Sequence, residues 1–149
     1  MKFEIPKPLK IEHDELLGEL VEATQAGGRT GDAAKTVAKL LHPHFVKEEE
    51  YALPPLGLLV PLSEGKFEAG MAGVLKMTDR LTPELSTMLA EHKEIVGALA
   101  KLVDAAKAEN KPAIAHFAEK LMLHAQTEEQ VLYPAAILVG EIVRSKLAK

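Results

Sequence analysis

Apolar residues recur along this chain every three to four positions, the rhythm of helices that bury one face. Leu9, His13, Leu16, Leu17, Leu20 and Val21 form the first such stripe, after an extended lead-in that ends at Pro6 and Pro8. Gly27 and Gly28 stop this helix. Thr30 is placed as the N-cap of a second helix, in which Val37, Leu41, His44, Glu48 and Tyr51 fall on one stripe. Pro43 lies inside that stripe and removes a backbone hydrogen bond, so the helix is read as kinked but continuous, the alternative being a start or break at this point. Pro54-Pro55 ends it, and Leu56 to Gly65 reads as an apolar loop or short irregular segment.

A minor helix is expected from Lys66 to Arg80, weakened by Gly70 and Gly73. Its Met71, Leu75 and Met77 are suited to cover a bundle end, face a partner subunit or line an access path. Thr82-Pro83-Glu84 has the form of a helix start, with proline at the first helical position and a carboxylate near the positive end. The stripe beyond it runs Leu85, Met88, Leu89, His92, Ile95, Val96, Leu99, Leu102, Val103 and fades near Asn110. Pro112 opens a fourth helix with Ile114, Phe117, Leu121, His124 and Glu128 inward; Pro134 kinks or ends it, and Ala135 to Leu147 is a further helical stretch. No apolar alternation of period two appears. The pattern predicts an all-α, up-down-up-down four-helix bundle with an extra short helical segment between helices two and three.

The chain repeats itself. His44-Phe45-Val46-Lys47-Glu48-Glu49 through Pro54 matches His124-Ala125-Gln126-Thr127-Glu128-Glu129 through Pro134 at an offset of 80, and Glu12-His13 through Leu20 matches Glu91-His92 through Leu99 at an offset of 79. One domain over residues 1–149 is therefore read as two pseudo-repeats, about 9–54 and 82–134. A spacing of four advances about 400° round an α-helix and climbs about 6 Å, so each His-x-x-x-Glu pair can reach one point.

Composition narrows the chemistry. Cysteine is absent, which removes thiolate from the possible ligands and suits a reducing compartment. A formal charge of -4 with no basic run argues against nucleic acid. No apolar stretch reaches the length of a membrane span or a secretory signal, and a soluble cytoplasmic protein is expected.

A single histidine on an apolar stripe is ordinarily a hydrogen-bonded core residue. Four of them, one per helix, with two carboxylates, cost several kcal/mol per group to bury unpartnered, and a metal pair supplies the compensation. The candidate metal residues are His13, His44, Glu48, His92, His124 and Glu128. His42 and His116 fall off the inward face, and Glu49 and Glu129 lie about 100° from their neighbours, in solvated or supporting positions. Imidazole and carboxylate donors without thiolate suit iron or manganese, and zinc less specifically.

His on helix one, His-x-x-x-Glu on helix two, His on helix three and His-x-x-x-Glu on helix four resemble the hemerythrin-like, or HHE cation-binding, domain, from His13 to Pro134. The resemblance implies a non-heme centre of two iron ions (Fe2+/Fe3+), with Mn or Zn as alternatives. It also implies His13 and His44 on one iron, His92 and His124 on the other, and Glu48 and Glu128 bridging. Oxygen-carrying hemerythrins have a further histidine where this chain has Met88, and an Asp five residues after the helix-four histidine, where this chain has Glu129. The choice between Glu128 and Glu129 stays open, with symmetry to Glu48 favouring Glu128. The expected function is to bind or sense a small diatomic molecule or peroxide, such as O2, NO or hydrogen peroxide. The alternatives are a di-iron peroxidase or oxidase, for which Tyr51 and Tyr133 could donate protons or electrons, and iron sensing or storage. A homo-oligomer or a protein partner is left open.

Overall fold

The computed structural model describes all 149 residues; it is all-helical in its regular structure and contains no strand. Four long helices make the frame: α1 (Lys7–Thr24), α2 (Gly28–Lys47), α4 (Leu75–Ala108) and α5 (Pro112–Thr127), with the short α3 (Leu59–Ser63) between the halves and α6 (Tyr133–Leu147) closing the chain. Around the bundle the order is α1, α2, α4, α5, and α5 returns to α1. α6 packs on the N-terminal part of α4. No helix is long and apolar enough to cross a membrane.

The turns follow from local chemistry. Gly27 (φ 73°) and Gly28 (φ 58°) are both left-handed, which reverses the chain between α1 and α2 at little cost in residues without Cβ. Thr30 is not the N-cap expected of it. It sits inside the first turn of α2, where Glu109, at the far end of α4, accepts hydrogen bonds from Thr30 Oγ1 (2.6 Å), Thr30 N (2.8 Å) and Arg29 N (3.2 Å). The Thr30 hydroxyl and these N–H groups hold the Glu109 carboxyl down at about 2. Asn110 (φ 56°) turns α4 into α5, which Pro112 opens as expected.

Two further boundaries differ from the sequence reading. α4 starts at Leu75 and runs through Pro83 without a break, so Thr82-Pro83-Glu84 is no helix start and the separate helix from Lys66 to Arg80 does not exist as such. Tertiary packing overrides the local signal here. Leu81 and Thr78 are buried, and the Thr82 hydroxyl bonds back to the Thr78 carbonyl (3.0 Å) instead of capping. The expected loop from Leu56 to Gly65 is instead mostly helical: a tight 3₁₀ segment (Pro54–Leu58) leads into α3, and a second (Ala69–Val74) precedes α4. Pro43 lies within α2, which is continuous.

Two apolar clusters fill the bundle. One, with Leu16, Leu20, Val37, Leu41, Phe45, Leu99, Leu102 and Leu121, occupies the end near the α4–α5 turn. The other gathers Tyr51, Leu53, Leu56, Leu81, Met88, Tyr133 and Ala136. Four buried histidines and two buried glutamates lie between them.

Where α4 meets α6, a Cβ on Gly140 would overlap the Thr78 side chain. Gly140→Ala is therefore expected to cost about 2 kcal/mol by overpacking, which lowers the melting temperature by roughly 4–8 °C. An unchanged thermal melt by circular dichroism would mean that α6 is not seated on α4.

Candidate metal centre

Each frame helix brings one histidine to the same level. His13 lies between Leu9 and Leu16 on α1, His44 follows Leu41 on α2, His92 stands between Met88 and Ile95 on α4, and His124 follows Leu121 on α5. The apolar stripe carries each imidazole inward with its neighbours. Glu48 and Glu128 arrive one turn after His44 and His124, and all six side chains are at most 5 % exposed.

At both carboxylates the helix widens to a single π turn, Glu48–Ala52 and Glu128–Leu132. The bonds span five residues: Leu53 N donates to Glu48 O (2.9 Å), and Tyr133 N donates to Glu128 O. A proline follows each of these turns. Pro54 and Pro134 have no N–H to give, and their rings crowd the carbonyl four residues back, which is compatible with the opened turn seen before each. On a regular α-helix residue 133 would lie about 140° round from residue 128. The wide turn returns Tyr133 to the inward face, where it is fully buried.

All four histidines present Nε2 to the carboxylates. Glu128 Oε2 lies 3.4 Å from His13 and 3.2 Å from His124, Glu128 Oε1 lies 3.2 Å from His92, and Glu48 Oε1 lies 3.4 Å from His44. Three of the four give Nδ1 to a carboxylate farther out: His44 to Glu91 (3.0 Å), His92 to Glu129 (3.0 Å) and His124 to Glu12. Lys47 holds the other oxygen of Glu91 (2.9 Å). A carboxylate at Nδ1 fixes the proton there and leaves Nε2 as a lone-pair donor, the usual support of a metal-bound histidine. The fourth histidine departs from this rule. His13 stacks on Phe45 (centroids 4.1 Å apart, planes 9° off parallel), its Nδ1 has no hydrogen-bond partner, and Glu49, which symmetry would offer it, is bound by Lys10 (2.7 Å).

The charges in the cluster are unequal. Burial, followed by the neighbouring charge of Glu128, pushes the Glu48 carboxyl well up. For Glu128 burial acts in the same sense but is outweighed by Glu48 and by His124, His13 and His92, and its carboxyl is held well below the usual range. His44 is lowered, chiefly by burial. His92 and His124 are raised because Glu128, with Glu129 and Glu12 respectively, outweighs burial. Like charges this close do not both ionise, so Glu128 carries the negative charge and Glu48 the proton.

The donor atoms gather in two sets, His44, Glu48, His92 and Glu128, and His13, His124 and Glu128, each within 4.8 Å. These sets join opposite halves of the repeat, unlike the pairing within halves that the resemblance implies, because α2 faces α4 and α1 faces α5. The donors fit a cation. They are imidazole and carboxylate only, and Glu48 Oε1 and His124 Nε2 are buried without a hydrogen-bond partner. His42 and His116 are exposed and outside the cluster. Glu12, Glu91 and the position of Tyr133 escaped the sequence reading, although Glu12 and Glu91 are repeat-related and each directly precedes a cluster histidine. A cavity of about 300 Å³ between α1 and α5, lined by Glu12, Glu15, Leu16, Lys120, Leu123, His124 and Thr127, reaches the cluster at His124.

Comparison with curated proteins and with solved structures finds no match. The family described as the hemerythrin HHE cation binding domain matches residues 7–136, a span that holds every residue of the cluster, and the chain belongs to that family.

Proposed function

We propose that this chain holds a non-heme pair of iron ions and uses it to bind or sense a small molecule such as O2, NO or peroxide. The observation that carries the reading is the inward convergence of four histidine Nε2 atoms on two buried carboxylates, with three of the imidazoles fixed from behind. His44, His92, Glu48 and Glu128 would hold one ion, and His13, His124 and Glu128 the other. Iron in this setting supplies a reversible one-electron change and coordination open to an exogenous ligand. The donor set admits manganese or zinc on affinity grounds alone.

The chain's own residues set what reaches such a centre. Met88, one turn before His92, is fully buried and offers no nitrogen, so the α4 side contributes a single histidine. The α1–α5 seam is held by polar pairs, Lys120 with Glu19 (2.6 Å) and His124 with Glu12, and the cavity beside it is sized for small molecules. Apolar packing of Leu16, Leu41, Phe45 and Leu121 below the cluster keeps bulk water from that side.

The test is to load protein prepared without chelators with Fe(II) under anaerobic conditions, count the iron, and record absorption before and after O2, NO and peroxide. About two irons per chain and a new spectrum with at least one of the three are expected. Spectra indifferent to all three would overturn the reading. A second, enzymatic reading draws on the buried phenol of Tyr133 beside Glu48 (2.8 Å), a proton source for peroxide reduction. Sustained peroxide turnover in the same experiment selects it.

A further inference from the structure

Tyr133 Oη stands 2.8 Å from Glu48 Oε2, 3.2 Å from His44 Nε2 and 3.1 Å from His92 Nε2. Glu91 and Glu129 draw the ring protons of the two histidines to Nδ1, so both Nε2 atoms face the phenol as lone pairs. Three ligand-type atoms thus crowd one phenol oxygen, whose single hydrogen can satisfy only one of these contacts. It goes to Glu48, leaving two close oxygen–nitrogen approaches without a hydrogen between them. A buried phenol oxygen held within 3.2 Å of one carboxylate oxygen and two imidazole nitrogens that are themselves candidate ligands is the arrangement that a cation completes.

We propose that Tyr133 is a protein donor to the metal position held by His44, His92 and Glu48, which makes the two metal positions chemically unlike. The proposal rests on the iron reading above and extends it to a residue outside the His and Glu set. On uptake of ferric iron the O–H bond of Tyr133 breaks, an Oη–iron bond forms, and the proton passes to buffer; no electron moves. The position is specific to one half of the repeat. The counterpart of Tyr133, 80 residues earlier, is Leu53, packed in the apolar cluster. Tyr51, the other tyrosine, has its ring under the Arg80 guanidinium (4.3 Å). The set of His13 and His124 therefore has no phenol and remains the more open of the two, on the side where the α1–α5 cavity lies.

A phenolate bound to ferric iron gives an intense visible charge-transfer band and, under excitation in that band, enhanced tyrosine ring modes in the Raman spectrum. The whole chain loaded with iron and oxidised is expected to show both. Tyr133→Phe loses them, and Tyr51→Phe keeps them. Since the chain has two tyrosines, retention in Tyr51→Phe assigns the band to Tyr133 even where Tyr133→Phe fails to fold. Iron uptake by the wild type without tyrosine modes, or their loss in Tyr51→Phe alone, overturns the assignment and leaves the iron reading standing. Failure of the wild type to take up iron overturns both.

Discussion

Glu128→Gln is expected to abolish stoichiometric metal binding at both positions while the bundle stays folded. Glu128 is the one residue common to the two donor sets, with Oε2 toward His13 and His124 and Oε1 toward His92. Glutamine keeps the shape and removes the charge. Losing a direct, shared anionic donor should exceed the about 10–100-fold cost of losing an outer-shell partner. Glu129→Gln supplies that comparison within the same protein. It touches only His92 Nδ1, so two metals should still bind, with affinity lower by about 10–100-fold. Competition with a chelator of known affinity, with metal counted after desalting, separates the two variants. Stability should change modestly. The cost is that of disturbed buried hydrogen bonds, about 1–3 kcal/mol. The reverse pattern, two metals in Glu128→Gln and none in Glu129→Gln, would transfer the ligand role to Glu129.

The histidines and the two buried glutamates were legible from one sequence because they stand on apolar stripes whose period is that of a helix, and because the repeat shows each of them twice. The helical class and the order of the four frame helices come from the same stripes. What was not legible depends on contacts between distant residues. Thr82-Pro83-Glu84 has every local feature of a helix start, yet burial of Thr78 and Leu81 carries α4 back to Leu75. Thr30 looked like a cap because the true cap, Glu109, is 79 residues away. Glu12 and Glu91 drew no role from the sequence, since a position 100° from an inward histidine faces outward on its own helix; only docking turns it toward the histidine of the next one. Pro134 was legible as a disturbance of the helix but not in its consequence. A kink and a widened turn are equally compatible with the missing N–H, and only the widened turn carries Tyr133 inward.

Metal removal should lower thermal stability, and by more at about pH 8 than at about pH 6. In the metal-free protein Glu48 is raised above 4.5, so the stability it contributes is complete below that value and is lost as pH rises through its folded pKa. His92 and His124 are raised above 6.5, and theirs is complete below 6.5 and lost as pH rises farther. His44 opposes them: being lowered, it contributes above 6.5 and loses that contribution as pH falls through its folded pKa. Glu128 is lowered and loses its contribution only on strong acidification, below 4.5. Between about pH 6 and about pH 8 the raised groups, Glu48, His92 and His124, act to lower the stability of the metal-free protein, and His44 acts against them. Metal binding needs these same groups deprotonated and releases their protons, so its contribution grows over the same interval. At a free metal concentration about 1,000 times Kd that contribution is about 4 kcal/mol, equivalent to roughly 8–16 °C in melting temperature. Calorimetry of the metal-free and loaded protein at the two pH values should therefore give melting temperatures that diverge as pH rises. A constant difference would mean that the metal is held by groups other than this cluster, because no ion can occupy these donors without displacing the protons that stabilise the empty fold.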